Sequence, residues 1–240
     1  VKEKIIDSYI ALDLETTGLN PKFARILEVG AVKIKNGKVI ETYDKIVNAK
    51  TYLSEQIVSL TGITEDMMLQ GEDIEKVIVE LIDFCEDYIL LGHNIMFDYS
   101  FVKKTATNHR LKFEKEAIDT LKLARRFLPQ LKKRSLEHLC EYYKIGQEKK
   151  HRAYYDAMAA SDLYRIFTEQ FYQGNEEAFL PVKLNYQVKR EVPITPRQKT
   201  YLNNLIKYHR INIAVHIDSL TKNEASRMID GIIFEHGKII

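Results

Sequence analysis

Residues Ser8–Asn20 read SYIALDLETTGLN. The stretch YIALDLE is apolar on both faces, the mark of a strand buried between two layers. Two carboxylates, Asp13 and Glu15, stand at its end. Side chains two apart on a strand share a face, about 6.6–7 Å apart along it, so these acids point the same way. Burying one unpaired carboxylate is costly, and two together repel. Either both reach water at the strand end or a cation lies between them, and the pair alone leaves that open. Carboxylates suit the hard ions magnesium and manganese, whose charge turns repulsion into attraction.

Downstream, ILEVGAVKIK (26–35) and KVIETYDKIV (38–47) flank Asn36-Gly37, a strong hairpin signal. A helix is expected from about Ser54, and a longer amphipathic one in EDIEKVIVELIDFCED (72–87). YILLGHN (88–94) reads as a fourth short strand, followed by a helix in FDYSFVKKTATNH (97–109). AIDT (117–120), a strand or turn, leads into LKLARRFL (121–128), which Pro129 ends. SLEHLCEYY (135–143) and RAYYDAMAASDLYRIFTEQFYQ (152–173) are further helices, with Gly174 as a stop. A hairpin followed by alternating strands and helices predicts an α/β fold, a mixed sheet covered by helices.

The composition changes near Gly174. Residues 175–194 carry two prolines and no periodicity, and read as a linker or extended strap. Beyond them, T-P-R-Q from Thr195 and T-K-N-E from Thr221 share the capping-box spacing. Each precedes an apolar stripe: Tyr201, Leu202, Leu205 and Ile206, then Ala225, Met228, Ile229, Ile232 and Ile233. The expected plan is a catalytic-type domain over 1–174, a linker over 175–194 and a small helical C-terminal module over 195–240.

With 240 residues, 45% hydrophobic and 29% charged, the chain has the composition of an ordinary globular protein. A formal charge of +2 neither demands nor excludes a nucleic-acid partner, so any basic footprint must be local. No apolar run is long enough for a membrane span, and VKEKIID at the start lacks the apolar core of a signal peptide. A cytoplasmic protein is expected. Cys85 and Cys140 lie in apolar helical patterns without metal spacing, as buried free thiols of a reduced compartment would.

Other acids join the first pair. LLGHNIMFDYSFV puts Asp98 just after an apolar strand, early in a helix. HRAYYDAMAASDLYRIF puts His151 just before a long helix and Asp156 in its early part, so a titratable imidazole lies near a fourth acid.

DLETTGL, GHNIMFD and HRAYYDA together resemble the three sequence motifs of the DnaQ-like exonucleases, in the DEDDh subgroup. That superfamily includes bacterial proofreading exonucleases, ribonuclease T-like enzymes and oligoribonucleases. The resemblance runs from about Ser8 to Tyr172 and implies a ribonuclease H-like sheet. It also implies hydrolysis of the terminal phosphodiester at a 3′ end, with release of nucleoside monophosphates and two divalent metal ions, Mg2+ or Mn2+. By resemblance Asp13, Glu15 and Asp156 hold the first metal, Asp13 bridges to the second, Asp98 supports the second, and His151 is the general base. Arg152 holds the place, four before the last acid, where a tyrosine subgroup carries Tyr. Two ions about 3.5–4 Å apart clamp the attacking and leaving oxygens in such sites.

Further expectations concern substrate contacts. Thr16 and Thr17 could offer N–H or hydroxyl groups to the terminal nucleotide, or form an ordinary turn. Leu19 and Phe97 could pack on bases, or Phe97 could be core. His93 and Asn94 match the second motif and could bond substrate or brace Asp98. Asp119 reads better as a helix cap than as a catalytic group. Arg152, with Lys149 and Lys150, forms a basic cluster beside His151 that could hold phosphate; a second cluster runs from Lys122 to Arg134. Nucleic-acid 3′ ends are the expected partner, single-stranded DNA favoured over RNA, with a DNA polymerase or another replication or repair protein as a possible associate. The alternatives are an exoribonuclease or short-oligonucleotide scavenger, and a polymerase-associated binding module.

Overall fold

A computed structural model describes residues 5–146, 149–213 and 216–239. The strands are β1 (Tyr9–Thr16), β2 (Ile26–Lys35), β3 (Lys38–Ile46), β4 (Leu90–Gly92), β5 (Glu116–Asp119) and β6 (Val182–Lys183). They form one sheet in the order β3-β2-β1-β4-β5-β6. β1 pairs antiparallel with β2 and parallel with β4; β4 and β5 are parallel, and β6 closes the edge antiparallel to β5. Asn36 and Gly37 both have positive φ at the β2–β3 turn, as that hairpin dipeptide requires.

The helices are α1 (Glu55–Thr61), α2 (Glu65–Leu69), α3 (Ile74–Cys85), α4 (Met96–Asn108), α5 (Thr120–Phe127), α6 (Leu136–Tyr143), α7 (Ala153–Phe171), α8 (Pro196–His209) and α9 (Lys222–His236). Alternation along β1 divides the core. Ile10, Leu12 and Leu14 pack in one cluster with residues of α3 and α4. Tyr9 and Ala11 pack in a second cluster with residues of α5, α6 and α7. Asp13 and Glu15 follow Tyr9 and Ala11 in register, so both acids face α7. That alternation decides which helix meets them.

Helix α7 lies unusually close to the sheet. Ala153, Ala157 and Ala160 line its buried side, and Gly30 of β2 makes room for its first turn. A Cβ at Gly30 would fall 2.1 Å from the carbonyl carbon of Ala153 and 2.1 Å from the nitrogen of Tyr154. Gly30 is the register partner of Asp13, so this contact brings the start of α7 beside the acid.

Residues 175–194 do more than link. Phe179 is buried among α7 residues, Leu184 is buried in the other cluster, and β6 extends the sheet. A short strand and a single 3-10 turn are too brief to leave a periodic signal. Both C-terminal capping boxes form as expected, and α8 and α9 pack around their own cluster of Leu202, Leu205, Leu220, Ala225, Ile229 and Ile232. Cys85 and Cys140 are buried and free, and withdrawal from water pushes both thiols up to about 12. No described helix is long and apolar enough to cross a membrane.

Candidate active site

The sheet delivers acids from both of its faces to the end of β1. From the α4 side, the buried Asp98 accepts the Leu14 N–H at 3.0 Å, which fixes its carboxylate to the strand between the other two acids. From the α7 side come His151 and Asp156, the latter in the first turn with its N–H on the Arg152 carbonyl at 3.1 Å. One oxygen each of Glu15 and Asp156 and one ring nitrogen of His151 lie within 4.8 Å of one another. A cavity of about 220 Å³ opens there, walled by Asp13, His151 and Asp156 and by Ser135, Leu136 and Lys150.

The acids repel, and the structure gives them little protein charge in return. Glu15 is pushed up to about 8, first by burial and then by Asp156 and Glu28, against the nearby Arg152 cation. Asp13 is held well above the usual carboxylate range by burial and by Asp98, Asp156 and Glu15. Burial raises Asp98 as well, although its own N–H and that of Leu14 favour the anion. Carboxylates gathered against their own charge, with a histidine in reach, are the donor set of a hard divalent ion. Asp13 stands outside the tight trio but walls the same cavity, and the Asp98 carboxylate acts on it through charge.

The approach of α7 rests on a group that the motifs do not include. Glu28 of β2 is fully buried directly across from Glu15. Its Oε1 accepts Arg152 Nε at 2.9 Å and Nη2 at 2.6 Å, and its Oε2 accepts the Ala153 N–H at 2.9 Å. The Arg152 guanidinium, expected to hold substrate phosphate, is therefore occupied in tying α7 to β2. Lys150 of the same basic cluster pairs with Glu137 and Glu141. The available signal for Glu28 was a lone carboxylate inside the apolar run ILEVGAV. His151 itself adopts φ 56°, a left-handed conformation uncommon for a residue with a side chain.

Other expected contacts are also committed internally. Thr16 Oγ1 donates to the Gly18 carbonyl, and Thr17 Oγ1 accepts the Arg25 N–H, so both hydroxyls shape the turn after β1. His93 bonds Thr120 Oγ1 at 2.9 Å and the Arg134 carbonyl at 2.8 Å, which uses both ring nitrogens away from Asp98. Asp119 caps α5 through the Leu121 N–H and also accepts the Asn94 N–H, at 2.9 Å each. Phe97 is half-buried, its ring 5.0 Å from that of Phe101. Leu19 stands 87% exposed.

Residues 10–164 match the Exonuclease family. The chain is 32% identical over 199 residues to a PolC-type DNA polymerase III of Caldanaerobacter subterraneus subsp. tengcongensis, covering 83% of this chain and 14% of that polymerase. The chain thus spans about one seventh of that relative's length. Among solved structures, Exonuclease X in complex with 5′ overhanging duplex DNA is similar at 27% identity and a TM-score of 0.54, over 68% of this chain and 92% of that one. The nuclease domain of 3′hExo, a DEDDh family member, shares the fold at 22% identity and a TM-score of 0.60, over 76% and 98% of the two chains. With the matched region spanning well over half of its length and the motif residues gathered at the end of β1, the chain belongs to the exonuclease family.

Proposed function

We propose that the chain is a metal-dependent 3′→5′ exonuclease that acts on DNA and releases nucleoside monophosphates. The observation that carries this reading is the meeting of Glu15, Asp156 and His151 within 4.8 Å beside Asp13. Asp13, Glu15, Asp98 and Asp156 would hold two divalent ions, magnesium or manganese. When bound, such ions neutralise the acids and the scissile phosphate and make water more acidic.

The protein's own groups then do the rest. His151, in the wall of the cavity, takes the proton from the attacking water. Asp98, fixed by the Leu14 N–H, keeps its carboxylate at the strand end. Leu19 and the exposed edge of Phe97 offer apolar surface to the terminal bases, a contact that tolerates any sequence. Arg152 acts through Glu28 by holding α7, and His151 with it, against the sheet.

The preference for DNA rests on the polymerase named as a relative and on the DNA bound to Exonuclease X. The same relative supports a setting beside a DNA polymerase, as a proofreading activity. A panel of 5′-labelled single-stranded DNA, mismatched primer–template and RNA tests the choice. DNA shortened from its 3′ end faster than RNA is expected, and RNA turnover tenfold above DNA overturns it.

A further inference from the structure

We propose that Phe23, on the loop between β1 and β2, and Arg227 of α9 form a stacking site for single-stranded nucleic acid on its way to the acids. The site gives the C-terminal helices a part in substrate binding, and it rests on the nuclease reading above.

The loop of residues 17–25 leaves β1 directly after the catalytic acids. Its tip carries Leu19, Lys22 and Phe23, with Phe23 53% exposed. The Arg227 guanidinium lies 4.8 Å from the centre of the Phe23 ring, and Lys22 Nζ lies 5.6 Å from it. Neither cation is engaged in an ion pair among the described residues. An accessible aromatic ring with Lys22 and Arg227 beside it, neither in an ion pair, matches the chemistry of a base and its phosphates.

The loop is held in place. Lys104 of α4 donates to the Pro21 carbonyl at 2.7 Å and also pairs with Glu191. Arg25 donates to Ser219 Oγ at 2.8 Å and to the Ala49 carbonyl at 2.9 Å, so the same loop is fastened to the segment that enters α9. These bonds make the Phe23–Arg227 contact a built junction between the exonuclease sheet and the C-terminal pair.

The loop ties the ring to the chemistry: Phe23 lies eight residues after Glu15, and Lys104, which holds the loop at Pro21, lies six residues after Asp98 on α4. A base resting on Phe23 would belong to the strand whose 3′ end reaches Asp13 and Asp98.

Phe23→Ala and Arg227→Glu test the site, with two substrates. One is a 5′-fluorescein-labelled single-stranded oligonucleotide, and the other is the p-nitrophenyl ester of thymidine 5′-monophosphate, too small to reach Phe23. Each variant is expected to raise KM for the oligonucleotide about fivefold or more while leaving turnover of the ester unchanged. Fluorescence anisotropy with a chelator present reads oligonucleotide binding directly and is expected to weaken in parallel. Wild-type oligonucleotide affinity in both variants overturns the proposal, as does an equal loss on both substrates, which signals a disturbed active site. If the wild-type protein cleaves neither substrate, the nuclease reading fails, and the anisotropy series alone then decides whether Phe23 and Arg227 bind a strand.

Discussion

The Arg152 guanidinium closes on the Glu28 carboxylate, with Nη2 to Oε1 at 2.6 Å and Nε to Oε2 at 3.1 Å, across 124 positions of sequence. Glu28 has no exposed surface, so this pair is the counter-charge of a buried acid as well as the tie between β2 and α7. Arg152→Ala removes the counter-charge and leaves the buried carboxylate with the Ala153 N–H, at an expected loss of about 3–5 kcal/mol. Urea denaturation measures that loss, and kcat should fall because His151 and Asp156 flank the tie. A phosphate-holding Arg152 would instead raise KM and leave stability unchanged.

Gly30→Ala tests the approach of α7 by a different route. The new methyl would meet the backbone of Ala153 and Tyr154 at 2.1 Å, and backbone cannot rotate aside as a side chain can. The first turn of α7 must shift, at a cost of about 1–3 kcal/mol or more. Activity should fall with stability, whereas Gly37→Ala, at an open turn, should lose stability alone.

Stability of the metal-free protein should fall as pH rises. Glu15 holds its proton to about pH 8 when folded, against an ordinary value of 4.5, and Asp13 and Asp98 shift in the same direction. Below 4.5 the Glu15 carboxyl is protonated in both states and its neutral form is well accommodated. Between 4.5 and 8 the unfolded chain releases that proton while the native state keeps it, so this group's contribution to stability declines across the window and is gone above it. Thermal melts in EDTA should give a lower Tm at pH 8 than at about pH 6, and Glu15→Gln should flatten the slope. Manganese should raise Tm most at the alkaline end, where the acids are ionised. A metal-free Tm that climbs over this range contradicts the crowding of the acids.

His151→Ala should lower kcat by about 10²–10⁴-fold, the usual worth of a positioned base, with KM for the oligonucleotide little changed. Steady-state kinetics on single-stranded DNA separates that outcome from a KM effect, which would make His151 a binding group.

Much of this was legible in the sequence because it was periodic or local. Alternation located β1, Asn36-Gly37 located the hairpin, and Thr195 and Thr221 announced their helices through capping boxes that the structure forms. The five acid and histidine positions were carried by motif spacing, which survives as sequence because each motif sits at the end of one element. Glu28 was harder to read, since its partner lies 124 positions away and only the register of β1 with β2 sets it opposite Glu15. Arg152 misled for the same reason: beside Lys149 and Lys150 it resembles a surface cation until the fold supplies Glu28. Thr16, Thr17 and His93 offered the right chemistry for a substrate, but the turn and the α5–α6 connection use those atoms first. Residues 175–194 carried too few residues per element to show a period.

The most direct test is digestion of a 5′-labelled single-stranded DNA oligonucleotide by the wild-type chain and by Asp13→Ala, each with manganese and with excess EDTA. The expected result is a ladder shortened from the 3′ end, with nucleoside monophosphates released, only for the wild-type protein with metal. Shortening that persists in EDTA or in Asp13→Ala contradicts the assignment of the acid cluster as the metal-dependent nuclease site.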